Sequence, residues 1–456
     1  MIICGIKRLF HPRVKRGQVS DSRGSETCPL FGAWLLLVFI GLFHLNACLA
    51  FAASEPDVSL TVVPVRYSFV QGDVEKYQAH QWVKEHYAGG IDEFTFEQKL
   101  PDDISVEMEG RALIDENDFK GRLLVEKEDF GFLHFDYQEF RKYYDGTGGV
   151  FRLFRILSVN ETDKELALDI GRFSVEAGIT PEDWPEVVFL YEREFKDGAK
   201  SHLTWTAVRE GGLLRSIGPS WQDIDEIVDV FAVRANHEIA GFTIKGEQRW
   251  EFVRSELSRE EKSLSVTGGA IDRKIRVQEQ APETDLMTTT VGIERWFAGE
   301  RMFTSGGYHF AHLENREMEN IFEMNENRVS QSFTNPKQVR DARADNDYDS
   351  HTWVGHFMAV PWKTFNVSTK IKTEVIGREG SSIYPQDTTV GAPNGVDNTE
   401  LSVNDSRVTR VGEGISLRFT GIPRTALYNE FELEQTRNWL SEDRKSLRGQ
   451  SAPNAN

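Results

Sequence analysis

Cysteine is almost absent from this sequence of 456 residues, and the three that it has, Cys4, Cys28 and Cys48, all lie near the amino terminus. No disulfide, thiolate metal site or thiol nucleophile can therefore form downstream of residue 48. Long apolar runs are also missing downstream of residue 48. With 39% hydrophobic residues and a negative mean hydropathy, the chain does not have the composition of a bundle of membrane-spanning helices.

Positive charge is also scarce. The chain has 53 Lys and Arg residues against 72 Asp and Glu residues, which gives a formal net charge of −19 at pH 7. Binding to nucleic acid requires clustered Lys and Arg side chains that neutralise phosphates. This charge balance excludes nucleic acid as a partner.

The first 52 residues have the pattern of a secretory signal peptide. Basic residues are concentrated before residue 24, residues 27–54 carry no charge, and the centre of that segment, 31–45, is apolar. Ala50-Phe51-Ala52 provides the small residues of a cleavage site. Two alternatives remain, an uncleaved membrane anchor and lipidation at Cys48. All three predict export.

The rest of the chain alternates between apolar and polar residues with a period of two, which is typical of a β-strand with one apolar face. The clearest example is 242–252. The residues predicted to face lipid are Phe242, Ile244, Trp250 and Phe252. The residues predicted to face a water-filled lumen are Lys245, Glu247 and Arg249. A soluble core does not accept so many consecutive charges on one side of a strand, whereas a lumen does.

Segments 104–114, 365–376 and 427–435 repeat this alternation. On the same argument, further charged residues predicted to face the lumen are Arg234, Lys370, Lys372 and Glu374. They would influence which ions pass, or they would neutralise one another by cross-strand pairing. The sequence leaves both readings open.

The lengths of the segments and of their connections favour a membrane barrel over a soluble sandwich. The alternating segments have about 10–13 residues, which suits a tilted strand that crosses a bilayer, whereas soluble strands are nearer five or six. Short turns alternate with long polar segments, as in outer-membrane barrels. The long segments, predicted to be external loops, are 71–91, 141–164, 197–226, 255–285, 314–350 and 377–407.

Aromatic residues gather near the short turns, which predicts a girdle at a membrane interface. They are Trp184, Trp296, Phe297, Trp362 and Phe365. Aromatic residues that flank the turns of an ordinary core give the same pattern, so this alternative stays open.

No group of residues predicts catalysis or ligand binding. His309 and His312 fall on opposite faces of a strand. Asp223, Asp225 and Glu226 lack the glycine and the ligand spacing of a calcium loop. Gly146, Gly148 and Gly149 are followed by no helix pattern that would hold a phosphate. We therefore predict no catalytic, cofactor-binding or metal-binding residues and no enzyme activity.

The expected organisation is an all-β antiparallel meander that forms a transmembrane β-barrel of about 14–15 visible strands. After a signal peptide at 1–52, a segment at 53–91 contains a first strand, at 58–70, and a loop. Barrel strands with long external loops occupy 92–440, and 441–456 is an unstructured tail. No helix is expected beyond the signal peptide. The odd strand count and the polar tail predict that closing strands are missing, so that the barrel is incomplete.

Three stretches resemble the MtrB/PioB family of decahaem-associated outer-membrane proteins, and in particular its porin-like relatives. They are 140–149, the turn Trp184-Pro185-Glu186, and 221–226 continuing into the strand 228–239. Their order and spacing are similar to that family across roughly residues 90–255. The resemblance implies a large barrel that encloses a periplasmic multihaem cytochrome. The cysteine pair associated with the MtrB subgroup is missing from the exported part of this chain, which gives a plain porin more weight.

The sequence thus predicts a porin-like β-barrel in the outer membrane of a Gram-negative bacterium, in contact with its lipid. A sheath for a multihaem cytochrome is the narrower form of this prediction. Two alternatives are an unrelated channel or receptor barrel and a soluble or lipid-anchored β-rich binding protein.

Overall fold

The structure is a computed structural model that describes residues 55–145, 165–210, 213–267, 270–325, 338–387, 396 and 398–448. For residues 203–219 and 261–274 the structure describes the strands but not the side chains. The predicted signal peptide and the glycines 146, 148 and 149 lie outside the described residues.

The described chain forms one antiparallel β-sheet of sixteen strands. The strands are β1 (Asp57–Tyr67), β2 (Tyr87–Leu100), β3 (Ile104–Leu113), β4 (Asp118–Lys127), β5 (Gly131–Tyr143), β6 (Ala167–Ile179), β7 (Glu186–Glu210), β8 (Leu213–Ile239), β9 (Phe242–Thr267), β10 (Ala270–Gln280), β11 (Glu283–Phe297), β12 (Met302–Asn325), β13 (Gln338–Trp362), β14 (Phe365–Asp387), β15 (Asn398–Phe419) and β16 (Leu427–Arg448).

The predicted all-β antiparallel meander is confirmed. Each strand pairs with its neighbours in sequence, and β10 and β11 are two segments of one line that lies between β9 and β12. The sixteen strands therefore occupy fifteen positions, in agreement with the predicted number. Connections alternate between the two ends of the strands in a meander, so the connections that follow β2, β4, β6, β8, β11, β13 and β15, from 101–103 to 420–426, lie at one end. We call this end of the strands the short-turn edge. Short links also occur at the other end, for example 114–117 between β3 and β4.

Most of the predicted long loops are not loops. Strands β7, β8 and β9 have 25, 27 and 26 residues, and they continue through most of 197–226 and 255–285. Strands β12 to β15 similarly continue through most of 314–350 and 377–407. The prediction was wrong because the apolar alternation stops where the strands continue. Backbone pairing and cross-strand ion pairs extend the ladders through these polar stretches, and a strand that is polar on both faces leaves no periodic signal.

A two-turn helix, α1 (Val74–Gln81), lies in the connection between β1 and β2. The expectation of no helix beyond the signal peptide is therefore wrong. Asp73 caps the helix, because its side chain accepts a hydrogen bond from the backbone N–H of Lys76 at 3.1 Å. This is the usual role of Asp at the start of a helix. Among the described residues, no helix combines the length and the apolar character that crossing a bilayer requires.

The outermost strands differ slightly from the predicted ones. Strand β1 covers most of the expected 58–70, and its register with β2 shifts around Pro64, which cannot donate a ladder hydrogen bond. Strand β16 continues to Arg448 and pairs with β15 along its whole length, so most of the described part of the expected tail is strand. Among the described residues, β1 pairs only with β2 and β16 only with β15.

The described sheet forms no second layer, and its hydrophobic core is correspondingly small. A single cluster of buried apolar residues, Leu166, Ala199 and Trp221, with Tyr144 packed against it, lies far from the short turns. Many large apolar side chains are instead exposed along the strands. An exposed apolar surface of this extent is expected to contact a lipid or protein partner.

Candidate functional site

The register of the sheet assigns every strand residue to one of two faces, because directly opposed residues share a face. Ile244 opposes His237 on β8 and Ile293 on β11, whereas Lys245 opposes Asn236 and Gly292. Propagating this rule from β9 through all the pairings gives two faces of different character. We call the face of Ile244 the apolar face and the face of Lys245 the charged face.

The apolar face is continuous from β2 to β16 in the part of the sheet near the short turns. Opposed pairs on this face include Met108 with Leu123, Phe135 with Val175, Phe189 with Val233, Trp250 with Met287, Tyr308 with Trp353, Val367 with Leu417, and Ile415 with Phe431. Many of these side chains are solvent-exposed, for example Ile293 at 43%, Ile371 at 48% and Leu433 at 55%. Among the described residues, no protein segment covers them.

All four residues predicted to face lipid lie on the apolar face. Phe242, Ile244, Trp250 and Phe252 follow one another along β9. From Phe242 to Phe252 the strand rises about 33 Å, which at the tilt of roughly 40° that is usual for barrel strands would correspond to a height of about 25 Å. That height equals the outward apolar band of outer-membrane barrels, which is about 25 Å.

An aromatic row crosses the apolar face on the side away from the short turns. Five rings contact one another across β5 to β9: Phe135, Phe173, Tyr191, Phe231 and Phe252, with ring centroids 4.8–6.3 Å apart. On β12 and β13 the rings of Tyr308 and Trp353 are 5.5 Å apart. This row was not predicted from the sequence.

A row of ion pairs lies on the same face, farther from the short turns than the aromatic row. The pairs are Arg141 with Asp169 at 2.7 Å, Arg193 with Asp229 at 2.7 Å, and Arg254 with Asp285 at 2.6 Å. In the same row, His312 is hydrogen-bonded to Asp349 at 2.8 Å. The hydroxyl of Tyr191 donates to Asp229 at 2.9 Å and joins the two rows. The apolar face therefore ends in aromatic rings followed by charges, which is the order found at a membrane interface.

The aromatic residues of the predicted girdle lie near the short turns, but not all of them on the apolar face. The rings of Trp362 and Phe365 are 5.7 Å apart across the turn between β13 and β14. Those of Phe242 and Phe297 are 6.2 Å apart, and the Arg295 guanidinium carbon lies 4.3 and 4.8 Å from their centroids. Trp296 contacts Phe303 at 4.9 Å, but both residues lie on the charged face, so Trp296 does not belong to a girdle on the apolar side. Trp184 is 74% exposed in the turn before β7.

All seven residues predicted to face the lumen lie on the charged face, and most of them form ion pairs. Arg234 contacts Glu176 at 2.8 Å, Lys245 contacts Glu294 at 3.4 Å, and Arg249 contacts Glu251 at 2.8 Å. Glu247 lies opposite Arg234. Lys372 and Arg410 both contact Glu374, at 3.6 and 2.7 Å. Of the two readings left open, extensive mutual neutralisation is thus observed.

One of these pairs depends on a glycine. Lys370 on β14 and Glu432 on β16 form an ion pair across the intervening β15. Gly414 lies between them in the register, opposite both. A Cβ atom at Gly414 would lie only 2.5 Å from Cε of Lys370, so the missing side chain leaves room for the Lys370 side chain to cross.

The polar residues weighed as ligand sites do not come together. Asp223 and Asp225 lie on the apolar face of β8 and Glu226 on the charged face, where it accepts a hydrogen bond from Ser255 at 3.1 Å. His309 and His312 lie on opposite faces, as their spacing predicted. Among the described residues, no group of three or more His, Cys, Asp or Glu is placed to hold a metal ion.

Several polar residues interrupt the apolar face close to the short turns, and Gln248 and Glu413 lie deepest within it. Gln248 on β9 accepts a hydrogen bond from the hydroxyl of Thr289 at 2.5 Å, which satisfies part of its amide. Glu413 on β15 lies between Ile371 and Leu433. The sequence pattern contained both, but a single polar residue within an otherwise regular alternation carries little weight.

A scan of the chain against models of known protein families gives no match, and a search of curated proteins gives no significant match either.

Proposed function

We propose that this chain forms the wall of a porin-like pore in the outer membrane, with the apolar face against lipid and the charged face lining a water-filled lumen. The observation that carries the proposal is the continuous, exposed apolar face of a sheet whose described part has no second layer. The proposal gives the chain no catalytic role.

Lipid suits the apolar face better than a protein partner does. The face is bounded along one side by the aromatic row and the ion pairs, and along the other by the aromatic residues of the short-turn edge. Its height of about 25 Å equals the apolar thickness that an outer-membrane barrel presents to lipid. An apolar band with aromatic residues at both of its borders is expected of a surface that faces a bilayer.

Water suits the charged face. Lys245, Glu294 and Arg249 lie at the same height as the apolar residues of β9, so one face of the sheet must be wet where the other is dry. A charged residue turned towards lipid at mid-membrane costs about 2–4 kcal/mol. Many such residues on the lipid side would prevent insertion.

The narrower proposal is that the lumen encloses a periplasmic multihaem cytochrome. It is supported only by the resemblance of residues 90–255 to the MtrB/PioB family. A suitable test is purification of the native protein in mild detergent, followed by haem absorbance and peptide analysis. Stoichiometric haem supports the sheath, whereas a haem-free protein that conducts ions supports a diffusion pore.

The pore proposal is tested with single cysteines on neighbouring positions of β9. Ile244→Cys and Lys245→Cys are produced from the intact gene, and each is labelled in outer-membrane vesicles with a fluorophore sensitive to polarity. We expect blue-shifted emission from position 244 that nitroxide-labelled lipids quench. Position 245 should show emission typical of water, quenched by a water-soluble agent.

Trp250→Cys and Glu247→Cys serve as a second matched pair on the same strand. Water-like emission at all four positions would show a soluble protein and overturn the proposal. Lipid quenching at 245 and 247 in place of 244 and 250 would overturn the orientation of the faces.

A further inference from the structure

The connection between β1 and β2, residues 68–86, folds back over the charged face of the sheet. We call it the mouth segment. Its two ends are joined, because the backbone N–H of Ser68 donates to the carbonyl oxygen of His86 at 3.1 Å. The backbone N–H of Val70 donates to the Glu85 carboxylate at 3.3 Å. The mouth segment is thus a closed loop that contains α1.

The mouth segment reaches β5, which is three strands away from β2. The ring of Trp82 stacks on that of Phe140 with a centroid distance of 5.5 Å and an angle of 7° between planes. The Lys142 ammonium lies 5.5 Å from the same Trp82 ring. Three strand spacings are about 14 Å, so the segment extends over the ends of β3 and β4.

The contacted residues identify the face. Phe140 opposes Ile170, and Lys142 opposes Leu168. Phe140 and Lys142 have the same parity as Gln138 on β5, and their partners on β6 have the same parity as Arg172, and both Gln138 and Arg172 belong to the charged face. The mouth segment therefore lies on the charged side of the sheet and at the edge opposite to the short turns.

A buried carboxylate fixes the base of the segment. Glu116, whose side chain is 5% exposed, contacts the Arg66 guanidinium at 2.6 Å. Its other oxygen accepts a hydrogen bond from the backbone N–H of Lys84 at 2.9 Å. Glu116 thereby links β1, the mouth segment and the end of β3. Charge-assisted hydrogen bonds of this kind are among the stronger polar contacts in proteins.

The polar residues of α1 suit contact with water. None of its residues is buried, and its sequence, VEKYQAHQ, is largely polar. A polar helix held above a charged sheet face by one aromatic stack and one buried carboxylate does not fill a core. It occupies part of the space in front of that face.

We propose that the mouth segment is a fixed ledge that narrows the water-filled side of the sheet and limits the size of solutes that pass. This inference rests on the proposed function, because it requires the charged face to line a pore. The ledge would act through excluded space, and the stack of Trp82 on Phe140 would hold it in place.

The test compares single-channel conductance and sugar uptake in liposomes for the native protein, purified from outer membranes of cells with the intact gene. In one variant, residues 70–85 are replaced by a short Gly-Ser turn, which the hydrogen bond between Ser68 and His86 allows. We expect higher conductance and a larger sugar exclusion limit. Trp82→Ala and Phe140→Ala should each shift both quantities in the same direction, and the double variant should add little.

Trp184→Ala is the control, because Trp184 is equally aromatic but lies in a turn at the opposite edge. It should leave conductance and exclusion limit unchanged. If the native protein conducts and the loop and stack variants match it, the inference is wrong and the pore stands. If the native protein inserts but does not conduct, the proposed function fails and the inference with it. If the loop variant does not insert, the two single substitutions decide.

Discussion

Adjacent residues on one strand meet opposite surroundings in this sheet. Ile244 is 38% exposed on the apolar face, while Lys245 contacts Glu294 on the charged face. We expect Ile244→Arg to lower the free energy of unfolding in bilayers by about 1–2 kcal/mol, because the guanidinium would face lipid between the border at Phe242 and mid-membrane, where the cost of a charge lies between its interfacial and midplane values. Lys245→Gln should cost little, since its ion pair is solvated.

Denaturant titration of the reconstituted protein measures both variants. Ile244→Leu serves as a control for substitution at that position and should be nearly neutral. If Ile244→Arg and Lys245→Gln are equally tolerated, the two faces do not differ in the way proposed.

The sequence predicts which side chains of a strand share a face of the sheet. It does not predict which residues pair with the charged side chains. The period of two fixes which side chains share a face, so all eleven residues assigned to a face fall together as expected. The choice of partner depends on register and side-chain reach. Lys370 finds Glu432 two strands away, across Gly414, and nothing in the alternation of β14 indicates this.

At the scale of the strands, the backbone conformation of one residue in β7 requires glycine. Gly198 has φ of +128°, and a Cβ atom there would collide with the carbonyl oxygen of Ala167 on β6. We expect Gly198→Ala to destabilise the sheet by about 1–3 kcal/mol, because an L-residue is strained at this φ and the collision is with backbone. Thermal unfolding of the purified protein measures the effect.

Gly121 on β4 provides the matched control. A Cβ atom there meets nothing within 4 Å, so Gly121→Ala should be neutral or slightly stabilising, as expected for Gly to Ala in a regular strand. A Gly198→Ala protein as stable as Gly121→Ala would contradict the strained geometry.

Strand existence was predictable, and strand length was not. The apolar alternation of β9 ends at Phe252, but the strand continues to Thr267. The sequence shows where the apolar face ends along each strand, because a charged residue then falls on that face. These residues are Asp229, Arg254, Asp285 and Asp349. What the pattern lacked was any sign that backbone pairing persists beyond that point. Helix α1 was missed because its polar residues give no periodic apolar face.

At the scale of the whole sheet, β1 and β16 are the two outermost strands. Within the described residues each pairs on one side only, and an unpaired backbone group in lipid costs several kcal/mol. We predict that β1 and β16 do not pair with each other and that another strand covers each edge in the membrane. Cysteine pairs that join Leu60 on β1 to successive apolar-face positions of β16 should therefore form no disulfide.

The control pair is Ile415→Cys with Phe431→Cys, which are direct partners on β15 and β16. Opposed strand residues have Cα atoms about 4.5–5.5 Å apart, within the range of a disulfide, so this pair should cross-link on oxidation. Efficient cross-linking from position 60 to β16 would show that the two edges meet and would contradict the prediction.

The length of the strands has a consequence for transport. A strand of 26 residues such as β9 measures about 85 Å, of which the dry band takes up less than half. In the proposed pore, the remainder would extend beyond the bilayer as a paired, charged wall. The electrical and diffusive resistance of a tube rises in proportion to its length, so a solute would meet most of the resistance outside the bilayer. Shortening the hairpin of β7 and β8, whose connection lies at the end of the strands away from the short turns, would therefore change throughput without altering a single lipid contact.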